Sequence, residues 1–184
     1  IDVVAAMNIS QTFWNVFSVA FIATGTAIGI IIGHLLGAGK FNEVKDTTRK
    51  LIAFSLGTSV VVGVVFYLFA QFVPSVYNTT QHVREIATGI MTISAIMMPI
   101  NAFVHASYFT IRSGGKALVT FLFDGFFMCA VALPVAFILS KYTALSILPL
   151  YFCCQSVDFI KAIIGFFLLK KGSWIRNIVG TEIT

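Results

Sequence analysis

Charged residues are scarce in this sequence. Asp, Glu, Lys and Arg make up 10% of the 184 residues, whereas hydrophobic residues make up 58%, and the mean hydropathy is +0.96. A soluble domain carries about 25% charged residues, so this chain has too few to cover a soluble surface. Disorder, a coiled coil and a collagen-like fibre are excluded too, since each needs many polar residues or a repeat that the sequence lacks. The composition is that of an integral membrane protein or of part of one.

Cysteines are few, and a start signal is lacking. Cys129, Cys153 and Cys154 all lie inside apolar runs. A disulfide framework uses paired cysteines in exposed loops, so we interpret these three as small hydrophobic residues of helices. The chain begins Ile1-Asp2, with neither a methionine nor the basic segment of a signal peptide. We therefore expect an upstream part, including a helix that brings the chain out of the cytoplasm.

Long apolar runs predict five membrane spans. The runs are 12–38, 51–73, 86–111, 118–139 and 145–169. Each has at least the ~20 residues needed to cross the ~30 Å hydrocarbon core, and none alternates as a barrel strand does. Because only helices and closed barrels span a bilayer, the predicted fold is an all-α, multi-pass bundle. Pro99 and Pro134 lie inside two of the runs and predict helix kinks.

Basic residues follow the alternation of the loops. Two of the loops carry only Arg84 and Lys141. The loop after the first span, the loop after the third span and the tail 170–184 carry nine basic residues: Lys40, Lys45, Arg49, Lys50, Arg112, Lys116, Lys170, Lys171 and Arg176. The positive-inside rule places these three segments in the cytoplasm. The net charge of +5 is thus explained by a lipid bilayer as partner, without nucleic acid.

Glycine recurs every fourth residue in the first span, at Gly25, Gly29, Gly33 and Gly37. This spacing places the four glycines on one stripe of the helix, where another backbone can approach closely. Two interpretations remain open at this point. The stripe is either tight packing within a static bundle, which we favour, or a smooth surface on which helices slide during transport.

Ionisable residues inside the spans are the candidate functional groups. Asp124 lies in the fourth span, Asp158 and Lys161 in the fifth, and His105 in the third, one turn after Asn101. A charge at bilayer depth costs about 2.5–3.5 kcal/mol on insertion scales, so such residues face protein or water. Asp158 and Lys161 are three residues apart and can pair on one helical face. A structural ion pair and a transport role are both open for these two.

The depths of these groups predict a polar layer. The third and fourth spans are antiparallel, and His105 and Asp124 each lie six residues, ~9 Å of helical rise, from the turn that joins the spans. Counted from the outer ends, Asp124, Asp158 and Lys161 also lie at similar depth. We expect Asp124 and Asp158 to face a water-filled cavity, with Lys161 and His105 as charge partners; a static cluster is the alternative.

Features of a membrane enzyme are weak. Ser107 follows His105 by two residues on one helix, so their side chains point apart. Asp124 and Asp158 could form a catalytic pair, but nothing in the flanking sequence supports it. We expect no enzyme activity, no metal site and no organic cofactor.

Two short motifs resemble the multidrug and toxic compound extrusion (MATE) family. One is the end of the first span, IGHLLGAG (32–39), followed by a polar loop, and the other is FTIRSGG (109–115) after the third span. In order and topology the five spans are similar to the eighth to twelfth helices of that family. The resemblance implies one lobe of a twelve-helix secondary transporter that exports drugs or organic cations in exchange for H⁺ or Na⁺.

The chain departs from the family pattern in two respects. The first lobe, with the acidic residue of its first helix, is missing from the sequence, and we expect it as a partner, encoded in the same polypeptide. The carboxylate that one branch has in its tenth helix has no counterpart, because the third span offers Asn101 and His105 instead. The alternatives are a lipid-linked saccharide flippase of the same superfamily, which a more cationic cavity would favour, and a structural membrane subunit without transport.

Overall fold

The computed structural model describes residues 2–115, 117–143, 145–172 and 174–175. The first three helices are α1 (Asp2–Gly37), α2 (Phe41–Val76) and α3 (Gln81–Ser113). The fourth span joins α4 (Ala117–Phe121), two π-helical segments (Leu122–Phe126 and Met128–Ala132) and α5 (Leu133–Tyr142), and the fifth is α6 (Ile147–Lys171). The described residues form helices and turns without a strand, so the all-α prediction is confirmed.

The helices extend beyond the predicted spans. Among the described residues, five helices are long and apolar enough to cross a membrane. Helix α1 begins at Asp2 instead of residue 12, and α2 begins at Phe41 instead of residue 51. Hydropathy marks only the part that lipid requires to be apolar, whereas a helix continues until a cap or turn ends it. The Thr80 hydroxyl, for example, accepts a hydrogen bond from the Val83 N–H at 3.4 Å and caps the start of α3.

The fourth span is irregular over a longer stretch than the kink predicted at Pro134. Two π-helical segments interrupt it, and Pro134 lies in the first turn of α5, directly after the second segment. Proline lacks the N–H that would bond the carbonyl four residues earlier, so the predicted distortion takes the form of a wider helix here. This span is also the least buried of the five.

Helix α3 is the centre of the bundle and packs against α1, α2, α4 and α6. At Pro99 its ladder loses one bond, since proline has no N–H for the Ala95 carbonyl. That carbonyl oxygen lies 3.1 Å from the position that a Cβ on Gly63 of α2 would occupy. A glycine in α2 therefore allows the two backbones to approach closely at the proline.

The turns and helix ends that carry most of the basic residues meet at one end of the bundle, which we call the basic end. The Lys45 Cε atom lies against Gly172, and the Trp174 backbone lies against Gly114 in the α3–α4 turn. Trp174 is buried in a cluster with Ile32 and neighbouring residues of α1, α2 and α3. The α1–α2 turn, the α3–α4 turn and the end of α6 are thus on the same side. Lys116, Arg176 and the rest of the predicted tail to residue 184 lie outside the described residues.

Candidate functional site

Lys161 of α6 is the centre of the candidate site. Its ammonium donates a hydrogen bond to Asp124 Oδ1 at 3.1 Å and lies 4.0 Å from Asp158 Oδ1. The same nitrogen is 5.4 Å from the centre of the Phe127 ring, within range of a cation–π contact. Lys161 is ten residues, ~15 Å of helical rise, from the end of α6 at Lys171. A lysine at this depth is held by two carboxylates and an aromatic face.

The three charged side chains differ in exposure. The Lys161 side chain is 7% exposed, Asp158 26% and Asp124 60%. Asp124 lies in the first π-helical segment of the poorly covered fourth span. Within the described chain the Lys161 side of the cluster is therefore covered and the Asp124 side is not.

His105 of α3 packs against α1. Its ring lies on Phe21 with 5.2 Å between ring centres. The structure thus pairs Lys161 with Asp124 of the fourth span and with Asp158 of its own helix. The role of His105 as a charge partner stays a prediction.

Asn101 is held differently. Its Nδ2 donates a hydrogen bond at 3.2 Å to the Met97 carbonyl of its own helix. This amide therefore provides a hydrogen bond to a backbone carbonyl of α3 near Pro99. Asn101 makes no hydrogen bond or ion pair with Asp124, Asp158 or Lys161 in the described chain. Its transport role stays a prediction.

The glycine stripe of α1 has two parts. A Cβ on Gly25 would lie 2.7 Å from the Phe109 ring of α3. A Cβ on Gly29 would lie 3.5 Å from both the carbonyl oxygen and the Cβ of Phe109. A Cβ on Gly33 would have only the Ser113 Cβ nearby, at 4.0 Å. Gly33 and Gly37 line an open groove. The first half of the stripe packs one helix on another, while the second half is uncovered within the described chain.

A hydrogen-bonded group in the half away from the basic end was missed by the sequence analysis. The Ser94 and Tyr151 hydroxyls share a hydrogen bond of 3.0 Å between α3 and α6, and Gln155 Nε2 donates to the Tyr151 oxygen at 3.2 Å. Tyr151, Gln155 and Asp158 are spaced four and three residues apart and occupy one face of α6. That polar spacing is the signal that could have revealed this face as an internal one.

The charged cluster has a net negative formal charge. Two carboxylates share one ammonium, so the three groups carry a formal charge of −1 when all are ionised. Within the described residues, no group of three or more His, Cys, Asp or Glu side chains converges as a metal site requires. A positive charge that approached either carboxylate would compete with Lys161 for it.

Comparison with known proteins identifies the family. The MatE family model matches residues 1–138, which include Asp124. A probable multidrug resistance protein YoeA of Bacillus subtilis (strain 168) is 28% identical over 132 residues, covering 71% of this chain and 28% of that protein. A probable multidrug resistance protein NorM of Thermotoga maritima is 23% identical over 171 residues, covering 91% of this chain and 37% of that protein.

The coverage of these relatives is partial. A second NorM, from Oceanobacillus iheyensis, is 22% identical over 144 residues, or 78% of this chain and 32% of that protein. The chain therefore spans about a third of the length of the curated relatives it matches. No solved structure matches the chain significantly. The family model covers well over half of the 184 residues, and the resemblance drawn from IGHLLGAG and FTIRSGG is confirmed: the chain belongs to the MatE family.

Proposed function

We propose that this chain is part of a secondary transporter that exports drugs or organic cations in exchange for H⁺ or Na⁺. Membership of the MatE family and the similarity to multidrug resistance proteins support export of drugs. In this proposal the chain forms most of one lobe, and a first lobe completes the cavity. Its C-terminus is in the cytoplasm, as the distribution of basic residues indicates.

One observation carries the proposal: Lys161 stands between Asp124 on one span and Asp158 on its own helix. A cation that binds Asp124 neutralises it and weakens the 3.1 Å contact with Lys161. Lys161 then has Asp158 as its remaining carboxylate. The contact between the fourth span and α6 thus depends on whether Asp124 is occupied, so cation binding favours one arrangement of the lobe over another.

The sign of the charge favours organic cations as substrates. The cluster has one more carboxylate than ammonium, and the open side presents Asp124. A lipid-linked saccharide carries phosphate, which a net negative cluster repels. The flippase alternative is therefore less favoured by this site, and a structural subunit without transport is the outcome if the assay below shows no export.

The test is export of a fluorescent organic cation from vesicles that contain the full-length transporter, driven by a pH or Na⁺ gradient. We expect Asp124→Asn and Asp158→Asn to lose most of the gradient-driven rate at equal expression. Asp46→Asn is the matched control, since Asp46 also pairs with a lysine, Lys50, at 2.7 Å and is 66% exposed, but lies on the surface at the basic end. Unchanged rates and ion dependence in both cluster variants would refute the coupling role.

A further inference from the structure

A cavity of 460 Å³ lies at the basic end, apart from the charged cluster. It is formed between the first half of α2, the middle of α3 and the end of α6, and Trp174 closes one side. Its volume is in the range of ligand pockets. The family assignment and the charged cluster give this cavity no role.

The rim of the cavity is positive. Lys45, Arg49 and Lys170 all line it and all are exposed. Among the described residues no acidic side chain lines the cavity. The nearby Asp46 forms a salt bridge with Lys50, whose ammonium lies 2.7 Å from the Asp46 carboxylate. Within the described part of the chain none of these three side chains forms a salt bridge, and a rim of this charge favours an anionic group.

The interior of the cavity is apolar. Ile52 and Leu56 of α2, Phe103 of α3, and Phe166 and Leu169 of α6 form its walls. The rim lies at the ends of spans and the walls run into the membrane. A ligand that fits both parts has an anionic head and a long apolar tail.

We propose that this cavity binds one anionic phospholipid from the leaflet that borders the basic end. The phosphate lies between Lys45, Arg49 and Lys170, and an acyl chain follows the apolar walls. Basic pockets between membrane helices are a recurring form of lipid headgroup site, and an arginine provides charge-assisted hydrogen bonds to phosphate. The bound lipid ties α2 to α6 at the end where both helices are otherwise exposed.

Native mass spectrometry of the full-length protein in neutral detergent tests this binding. The probes are dioleoyl phosphatidylglycerol and dioleoyl phosphatidylcholine, which share acyl chains and differ in net charge. We expect the first adduct of phosphatidylglycerol to form at least about tenfold more readily, because each basic residue near a phosphate changes affinity about fivefold. Equal retention of the two lipids by the unaltered protein would overturn the proposal, and this comparison needs no variant.

Variants locate the binding within the cavity. Arg49→Gln with Lys170→Gln should lower phosphatidylglycerol affinity about 25-fold. Lys40→Gln is the matched control, since it removes one charge at the same end outside the cavity. An equal loss in Lys40→Gln would show that binding follows overall charge alone and would overturn the proposal. Displacement of the lipid by millimolar glycerol 3-phosphate would likewise overturn it, because the site would then recognise a free phosphate.

Discussion

Lys161 needs at least one of its two carboxylates, and this requirement can be tested by removing them singly and together. Asp124→Asn leaves Lys161 with Asp158 at 4.0 Å, and Asp158→Asn leaves it with Asp124 at 3.1 Å. The double variant leaves the ammonium, on a side chain only 7% exposed, without a counter-charge. The loss in the double variant should therefore exceed the sum of the two single losses.

The magnitudes follow from burial. Each single replacement leaves Lys161 with one carboxylate, so it should cost about 1 kcal/mol in the free energy of unfolding, the upper range for one ion pair. An unpaired lysine at bilayer depth costs about 2.5–3.5 kcal/mol, which sets the loss for the double variant. In a chain of this size 1 kcal/mol corresponds to about 2–4 °C in melting temperature. The single variants should lose about 2–4 °C and the double variant about 6–12 °C.

The assay is thermal unfolding of purified protein in one detergent, followed by the remaining monodisperse fraction. Adding Lys161→Met to the double variant should recover most of the loss, since the triple variant has no buried charge left. The account of the cluster would be refuted if the double variant lost no more stability than the two single variants added together and if Lys161→Met recovered none of that loss.

Three further predictions concern the helix ends and the glycine stripe. Gly29→Leu should destabilise the protein far more than Ile31→Leu, because Gly29 packs on α3 while Ile31 is 40% exposed; equal melting temperatures would contradict this. A cysteine at Ser113 should resist an impermeant thiol reagent in intact cells if the α3–α4 turn is cytoplasmic, and rapid labelling would reverse the topology. Gly114→Ala should displace Trp174, whose backbone occupies the space of the new methyl group, and increase acrylamide quenching of tryptophan fluorescence; unchanged quenching would show that the contact is not maintained.

The sequence was sufficient to predict five helical spans. A hydrophobic run of ~20 residues has one stable structure in lipid, and helical rise is constant, so counting from the turns placed His105, Asp124, Asp158 and Lys161 in one layer. The structure adds the pairing within that layer. Rotation of each helix about its axis determines which groups meet, and rotation depends on packing of all faces together.

Other features required the tertiary structure. The first π-helical segment around Asp124 has no marker in the sequence comparable to Pro134 after the second. The basic cavity is assembled from residues of α2, α3 and α6 that lie far apart in the chain. The sequence analysis used only the number of basic residues, to assign loops to the cytoplasm. A charge count does not show that Lys45, Arg49 and Lys170 line one cavity.

Competition between the exported cation and the coupling ion tests the central claim most directly. The measurement is the dissociation constant of a fluorescent organic cation for the purified full-length transporter, as a function of pH and of Na⁺ concentration. The account predicts that H⁺ or Na⁺ weakens binding to the unaltered protein, and that Asp124→Asn removes this dependence while Asp46→Asn retains it. Affinity and ion dependence that are the same in Asp124→Asn as in the unaltered protein would contradict the assignment of the cluster as the site of exchange.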